Sequence, residues 1–72
     1  MRPSQVLTFD STHAVLAAEK ALRAAGMEYQ IIPMPRQMSS DCGMAIRVPR
    51  VDGRACRDLL RSRAIRVDLH DE

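Results

Sequence analysis

Aromatic residues are almost missing from this chain: one phenylalanine, one tyrosine and no tryptophan among 72 residues. Proteins that hold single-stranded nucleic acid stack its bases on aromatic side chains, and two rings leave little for that. The net charge of +2, carried almost wholly by arginine, also falls short of a nucleic-acid signature. Cysteine is equally sparse. Cys42 and Cys56 are the only thiols, and they form neither a CxxC pair nor part of a four-ligand metal set. There is no glycine-rich phosphate loop and no acidic metal cluster, so neither a metal nor a cofactor is expected. No apolar run is long enough to cross a bilayer, and no basic start leads into the apolar stretch of a signal peptide. The chain is therefore expected in the cytoplasm and away from membranes. In that reducing compartment two distant cysteines are more often thiols than a bridge.

What is present is a globular composition, 46% hydrophobic and 28% charged, which is not that of a disordered chain. A chain this short buries only about 60% of the surface its unfolded form exposes. One domain spanning residues 1–72 is expected, with no room for a deep cleft. A carrier, adaptor or subunit fits better than a complete metabolic enzyme. Small domains usually need a staple and none is visible, which points to self-association into a homodimer as a source of the missing burial. Leu16, on the polar side of the first helix, and an open sheet edge agree with such a contact.

Periodicity divides the chain into six elements. "QVLTFD" reads as a strand. "STHAVLAAEKALRAAG" reads as a helix: Ser11 is a good N-cap, Ala14, Val15, Ala18, Ala21, Leu22 and Ala25 form one face, and Gly26 stops it in the left-handed conformation. Glu19 and Arg23 make a favourable i,i+4 pair. "MEYQIIPMP" begins as a strand, but Pro33 and Pro35 remove ladder donors and mark an edge. "CGMAIRVP" is the next strand, with Met44, Ile46 and Val48 facing the core and Ala45 and Arg47 facing away. "RVDGRACRDLLRSRA" is a second helix with a weaker start. "IRVDLHD" alternates as a last strand, Ile65, Val67 and Leu69 inward and Arg66, Asp68 and His70 outward.

The order β-α-β-β-α-β is the split βαβ, ferredoxin-like pattern. Right-handed crossovers then lay both helices on one face of a four-stranded antiparallel sheet of order 4-1-3-2, with the other face uncovered. In that fold Cys42, at the start of the third strand, stands beside the "DSTH" segment that opens the first helix. A helix N-terminus carries free N–H groups and about half a positive charge, which stabilises a thiolate. Gly43 removes bulk beside the sulfur. Arg36 adds positive charge, Asp41 opposes it, and Ser39, Ser40, Ser11 and Thr12 offer hydroxyl donors, with His13 close by. Against this stands the plain alternative that Cys42 is a small buried hydrophobe.

The stretches "FDSTHAVLAAEKALRAAG" and "IPMPRQMSSDCGMAIRVP" resemble a small, largely uncharacterised bacterial family described as selenium/sulfur (Se/S) carrier-like proteins. The resemblance covers nearly the whole chain and runs through Phe9, Ser11, Thr12, His13, Glu19, Lys20, Pro35, Arg36, Ser39, Cys42 and Gly43. It implies that Cys42 accepts sulfur or selenium as a persulfide or perselenide and hands it on, so that a protein donor and a protein acceptor are its partners. The Cys-Pro-x-Pro element of TusA-type sulfur carriers is lacking, so that group's partner chemistry does not transfer.

Three other features have simpler readings. Cys56, between apolar helix positions, is expected to be a buried, inert thiol at the far end of the sheet, out of disulfide reach of Cys42. Met34 and Met38 are expected to anchor a loop rather than bind a soft metal. Arg50, Arg54, Arg57 and Arg61 form a stripe on the second helix, either a solvated face or a docking surface for an acidic protein. If Cys42 is structural, the chain is a non-catalytic interaction or regulatory module working through that stripe or the sheet edge.

Overall fold

The computed structural model of the chain describes residues 3–36, 38 and 43–72. The elements run β1 Ser4–Thr8, α1 Thr12–Ala24, β2 Gln30–Pro33, β3 Met44–Pro49, a 3-10 turn Arg50–Asp52, α2 Gly53–Ser62 and β4 Asp68–Asp71. The strands form one antiparallel sheet of order β2-β3-β1-β4. This is the ferredoxin-like α+β arrangement expected, with β2 and its proline at one edge.

Both helices lie over the face that carries Leu7, Ile46 and Val48. Those residues pack with Phe9, Val15, Leu22, Cys56, Leu60 and Val67 in the main core. Leu7, Leu22, Ile46 and Leu60 are fully buried, and each stabilises the fold by about 1.5–3 kcal/mol relative to exposure. The start of α1 follows from Ser11, whose backbone is extended and whose Oγ accepts the Ala14 N–H at 3.1 Å. Its end follows from Gly26 at φ +72°: the Gly26 N–H donates to the Arg23 carbonyl and the Met27 N–H to that of Leu22. Glu19 pairs with Arg23 at 3.6 Å and accepts the hydroxyl of Tyr29.

The weaker start of α2 has two causes. Asp52 stands at its N-cap without a side-chain cap bond, and a 3-10 turn leads in. The first helical residue is also Gly53, a poor helix former, which lies beside the end of the Gln5 side chain.

The chain departs from expectation at three places. β4 begins at Asp68 rather than Ile65, because the Ile65 N–H closes the end of α2 on the Leu60 carbonyl. β1 ends at Thr8, since Phe9 and Asp10 turn toward the Ser11 cap. The third concerns the helix-free face, which is not bare. Val6, Ile32 and Ala45 form a second buried cluster there, covered by Met34 and Met38 from the β2–β3 loop. Ala45 does face away from the helices, yet it is wholly buried. The two methionines thus anchor the loop, as the simpler reading held. No described helix is long and apolar enough to cross a membrane.

Candidate functional site

The end of the sheet where β1 gives way to α1 brings together Gly43, Ser11, Thr12 and His13. Thr8 pairs with Ala45, so Gly43, two residues earlier in β3's chain, lies at the level of the Phe9–Ser11 turn. Cys42, Ser39 and Ser40, with Gln37 and Asp41, lie outside the described residues.

Gly43 is exposed, and no heavy atom lies within 4 Å of where a Cβ would stand. Its carbonyl accepts the Met34 N–H at 3.0 Å, which closes the β2–β3 loop at its base. Arg36 is exposed in a turn fastened by the Met38 N–H on the Pro35 carbonyl at 3.0 Å.

Ser11 is half-buried and its oxygen is engaged in capping α1. Its hydroxyl proton remains as a donor, while Thr12 and His13 are exposed on the first turn. That turn contains no acidic side chain, so the positive end of the helix is not neutralised from within. Asp10 precedes the cap, and its carboxylate lies 3.8 Å from the Arg66 guanidinium.

Cys56 is a free thiol with no exposed surface. It stands in the first turn of α2, which follows the opposite end of β3, where Pro49 pairs with Ser4. Burial, with Asp52 adding to it, pushes its pKa up to about 11. Such a thiol is a poor nucleophile near neutrality. The arginines of α2 do not converge on one place. Arg50 and Arg54 are exposed at the far end, Arg57 lies 3.2 Å from its neighbour Asp58, and Arg61 donates to the Val67 carbonyl at 3.2 Å.

Three features escaped sequence reasoning. His70 Nε2 lies 2.8 Å from Thr8 Oγ1 on the helix-free face; the alternation of β4 signals only that His70 points away from the core. Glu72 is held by Arg47 Nε at 2.9 and 3.1 Å and by the Ser4 hydroxyl. Those groups line a groove with Tyr29 and Pro49 at the far end of the sheet. Arg66 reaches Asp10 at 3.8 Å from the α2–β4 connection, which topology alone could have signalled. Among the described residues no group of three His, Cys, Asp or Glu side chains could hold a metal ion.

Comparison with known proteins identifies a family and one curated relative. The family described as "Putative Se/S carrier protein-like" matches over residues 4–69. The chain is also 42% identical over 38 residues to "Uncharacterized protein YtiA" of Escherichia coli (strain K12), an alignment covering 53% of this chain and 45% of that relative. The chain thus spans less than half the length of the curated relative it matches. No solved structure matches it.

Proposed function

The chain belongs to the Se/S carrier protein-like family, and from that premise we propose that Cys42 holds sulfur or selenium as a persulfide or perselenide and passes it between proteins. The family match carries this reading. The open backbone at Gly43, next in the chain, supports it, as does the first turn of α1 at the same end of the sheet, which contains no acidic side chain.

The chemistry needs one accessible thiolate and no deep pocket. The Cys42 thiolate attacks the outer sulfur of a donor's cysteine persulfide. The donor's S–S bond breaks, its thiolate leaves with the electron pair, and Cys42 becomes the persulfide. An acceptor thiolate repeats the displacement on Cys42 and frees it again. The same displacement at an outer selenium gives the S–SeH form. No net oxidation occurs in either direction, so rate rests on thiolate fraction and access.

Cys42 is the carrier atom's site and Gly43 gives it clearance. Ser11, Thr12, Ser39 and Ser40 supply hydroxyl donors, and His13 and Arg36 supply polar and positive surroundings. Cys56 takes no part. The partners are a protein donor and a protein acceptor.

Alkylation rate against pH, mapped to each cysteine in the folded protein, tests this. Cys42 is expected to react fast with an apparent pKa below the ordinary thiol value of about 8.5, while Cys56 stays unmodified. Protection of Cys42 equal to that of Cys56, or a titration at or above that value, would overturn the activated-thiol reading.

A further inference from the structure

Three arginines crowd the passage from α2 to β4. Arg61 is in the last turn of α2, Arg63 is its C-cap residue, and Arg66 stands two residues before β4. The passage belongs to the end of the sheet that carries Gly43: Asp68 pairs with Thr8, and Arg66 reaches Asp10. Arg61 spends one nitrogen on the Val67 carbonyl, which fixes the passage against the sheet. Arg63 is exposed, and the Arg66 side chain is 89% exposed. Arg36 stands on the other flank of the same end. Among the described residues the acids at this end are Asp10 and Asp68, against four arginines. The far end carries Glu28, Asp52, Asp71 and Glu72 against Arg47, Arg50 and Arg54, so the arginine excess belongs to the Gly43 end. Of the C-terminal carbonyls of α2, those of Arg61 and Leu60 accept the Ala64 and Ile65 amides.

We infer that Arg61, Arg63 and Arg66 form the docking surface for an acidic protein that exchanges sulfur with Cys42, an inference that rests on the carrier reading above. The charges are spread along an exposed connection rather than gathered into a pocket, which suits a broad acidic surface. Arginine forks pair with carboxylates in a directed, two-pronged way. Exposed charges of this kind act mainly on the rate of encounter and on the choice of partner. Their reach is about 8 Å at physiological ionic strength, so the effect weakens with salt.

Two peptides test the surface directly. Each contains one cysteine as a mixed disulfide with 2-thiopyridine, one flanked by glutamates and the other by lysines. The Cys42 thiolate attacks the peptide sulfur, the S–S bond breaks, and the thiopyridine leaves as the coloured product. At low salt the glutamate peptide is expected to react about tenfold faster than the lysine peptide, with the difference shrinking as salt is added. The double change Arg63→Glu and Arg66→Glu should invert the preference, and Arg63→Gln with Arg66→Gln should abolish it without inverting it. Arg50→Glu with Arg54→Glu, at the far end of α2, should leave it standing.

Equal rates for the two peptides, or a preference that survives both double changes in folded protein, overturns the surface. Exchange reads the surface whether or not Cys42 carries sulfur. A glutamate preference without retention of sulfur from a persulfide refutes the carrier reading alone. Normal sulfur loading with equal peptide rates refutes the surface alone, and failure of Cys42 to react with either peptide refutes both.

Discussion

Ala64 occupies the same backbone position after α2 that Gly26 occupies after α1. Both residues are left-handed, at φ +60° and +72°, and both helices close with the same pair of bonds. After α2 the Ala64 N–H donates to the Arg61 carbonyl and the Ile65 N–H to that of Leu60, each at 3.0 Å. Met27 and Ile65, the residues that follow, each pack against the main core. A left-handed residue with a Cβ is strained by about 1–2 kcal/mol. Ala64→Gly is therefore expected to stabilise the protein by up to about 1 kcal/mol, and Gly26→Ala to destabilise it by about the same amount. Denaturant midpoints measured at constant slope check both.

Cys56 gives an alkaline signature. Its folded pKa of about 11 lies above the ordinary thiol range of about 8.5–9. The stability that comes from keeping this thiol protonated is complete below the ordinary value and is lost as pH rises from there through about 11, because the unfolded thiol ionises first. Tyr29, raised by its hydrogen bond to Glu19, contributes in the same direction. Comparison with Cys56→Ala isolates the thiol. The variant should melt lower at neutral pH, from lost packing of about 1 kcal/mol, with the gap narrowing above pH about 9.

Glu72 gives an acid signature. The hydrogen bonds from Arg47, then that from Ser4, hold its carboxyl below the usual carboxylate value. Stability from this group is present above that usual value and is lost as pH falls through the lowered one. Glu72→Gln should melt below the parent at neutral pH and low salt, and the difference should vanish in acid. A difference that persists unchanged in acid would show that the charge is not the cause.

The second buried cluster makes the β2–β3 loop part of the fold. Met38 packs over Val6, Ile32 and Ala45. Met38→Ala is expected to cost about 1–2 kcal/mol, below the 2–5 of a fully buried methionine because Met38 is half-buried. A thermal melt within error of the parent would mean that the loop does not depend on this contact.

Local signals in the sequence located α1, because Ser11 and Gly26 each act through their own chemistry. The end of α2 was hidden, since nothing in an alanine signals a left-handed turn, and Ile65 and Val67 alternate like a strand although the chain uses Ile65 to close the helix. The pattern of β3 correctly separated Ile46 from Ala45. It could not show that Met34 and Met38 cover Ala45, because they do so together with Val6 and Ile32 from two other strands, which the pattern of one strand does not carry. The neighbourhood of Gly43, Ser11 and His13 followed from topology. The approach of Arg66 to Asp10 was not legible, because it depends on what lies across the fold, which composition and periodicity do not carry.

Sulfur loading tests the central claim most directly. The reduced protein is mixed with a small-molecule persulfide, freed of excess donor, and weighed intact and as peptides before and after a thiol acceptor is added. The account predicts a gain of one sulfur atom on Cys42, its loss to the acceptor, no gain on Cys56, and no loading of a folded Cys42→Ala variant. Absence of sulfur on Cys42, or loading that persists in that variant, would contradict it.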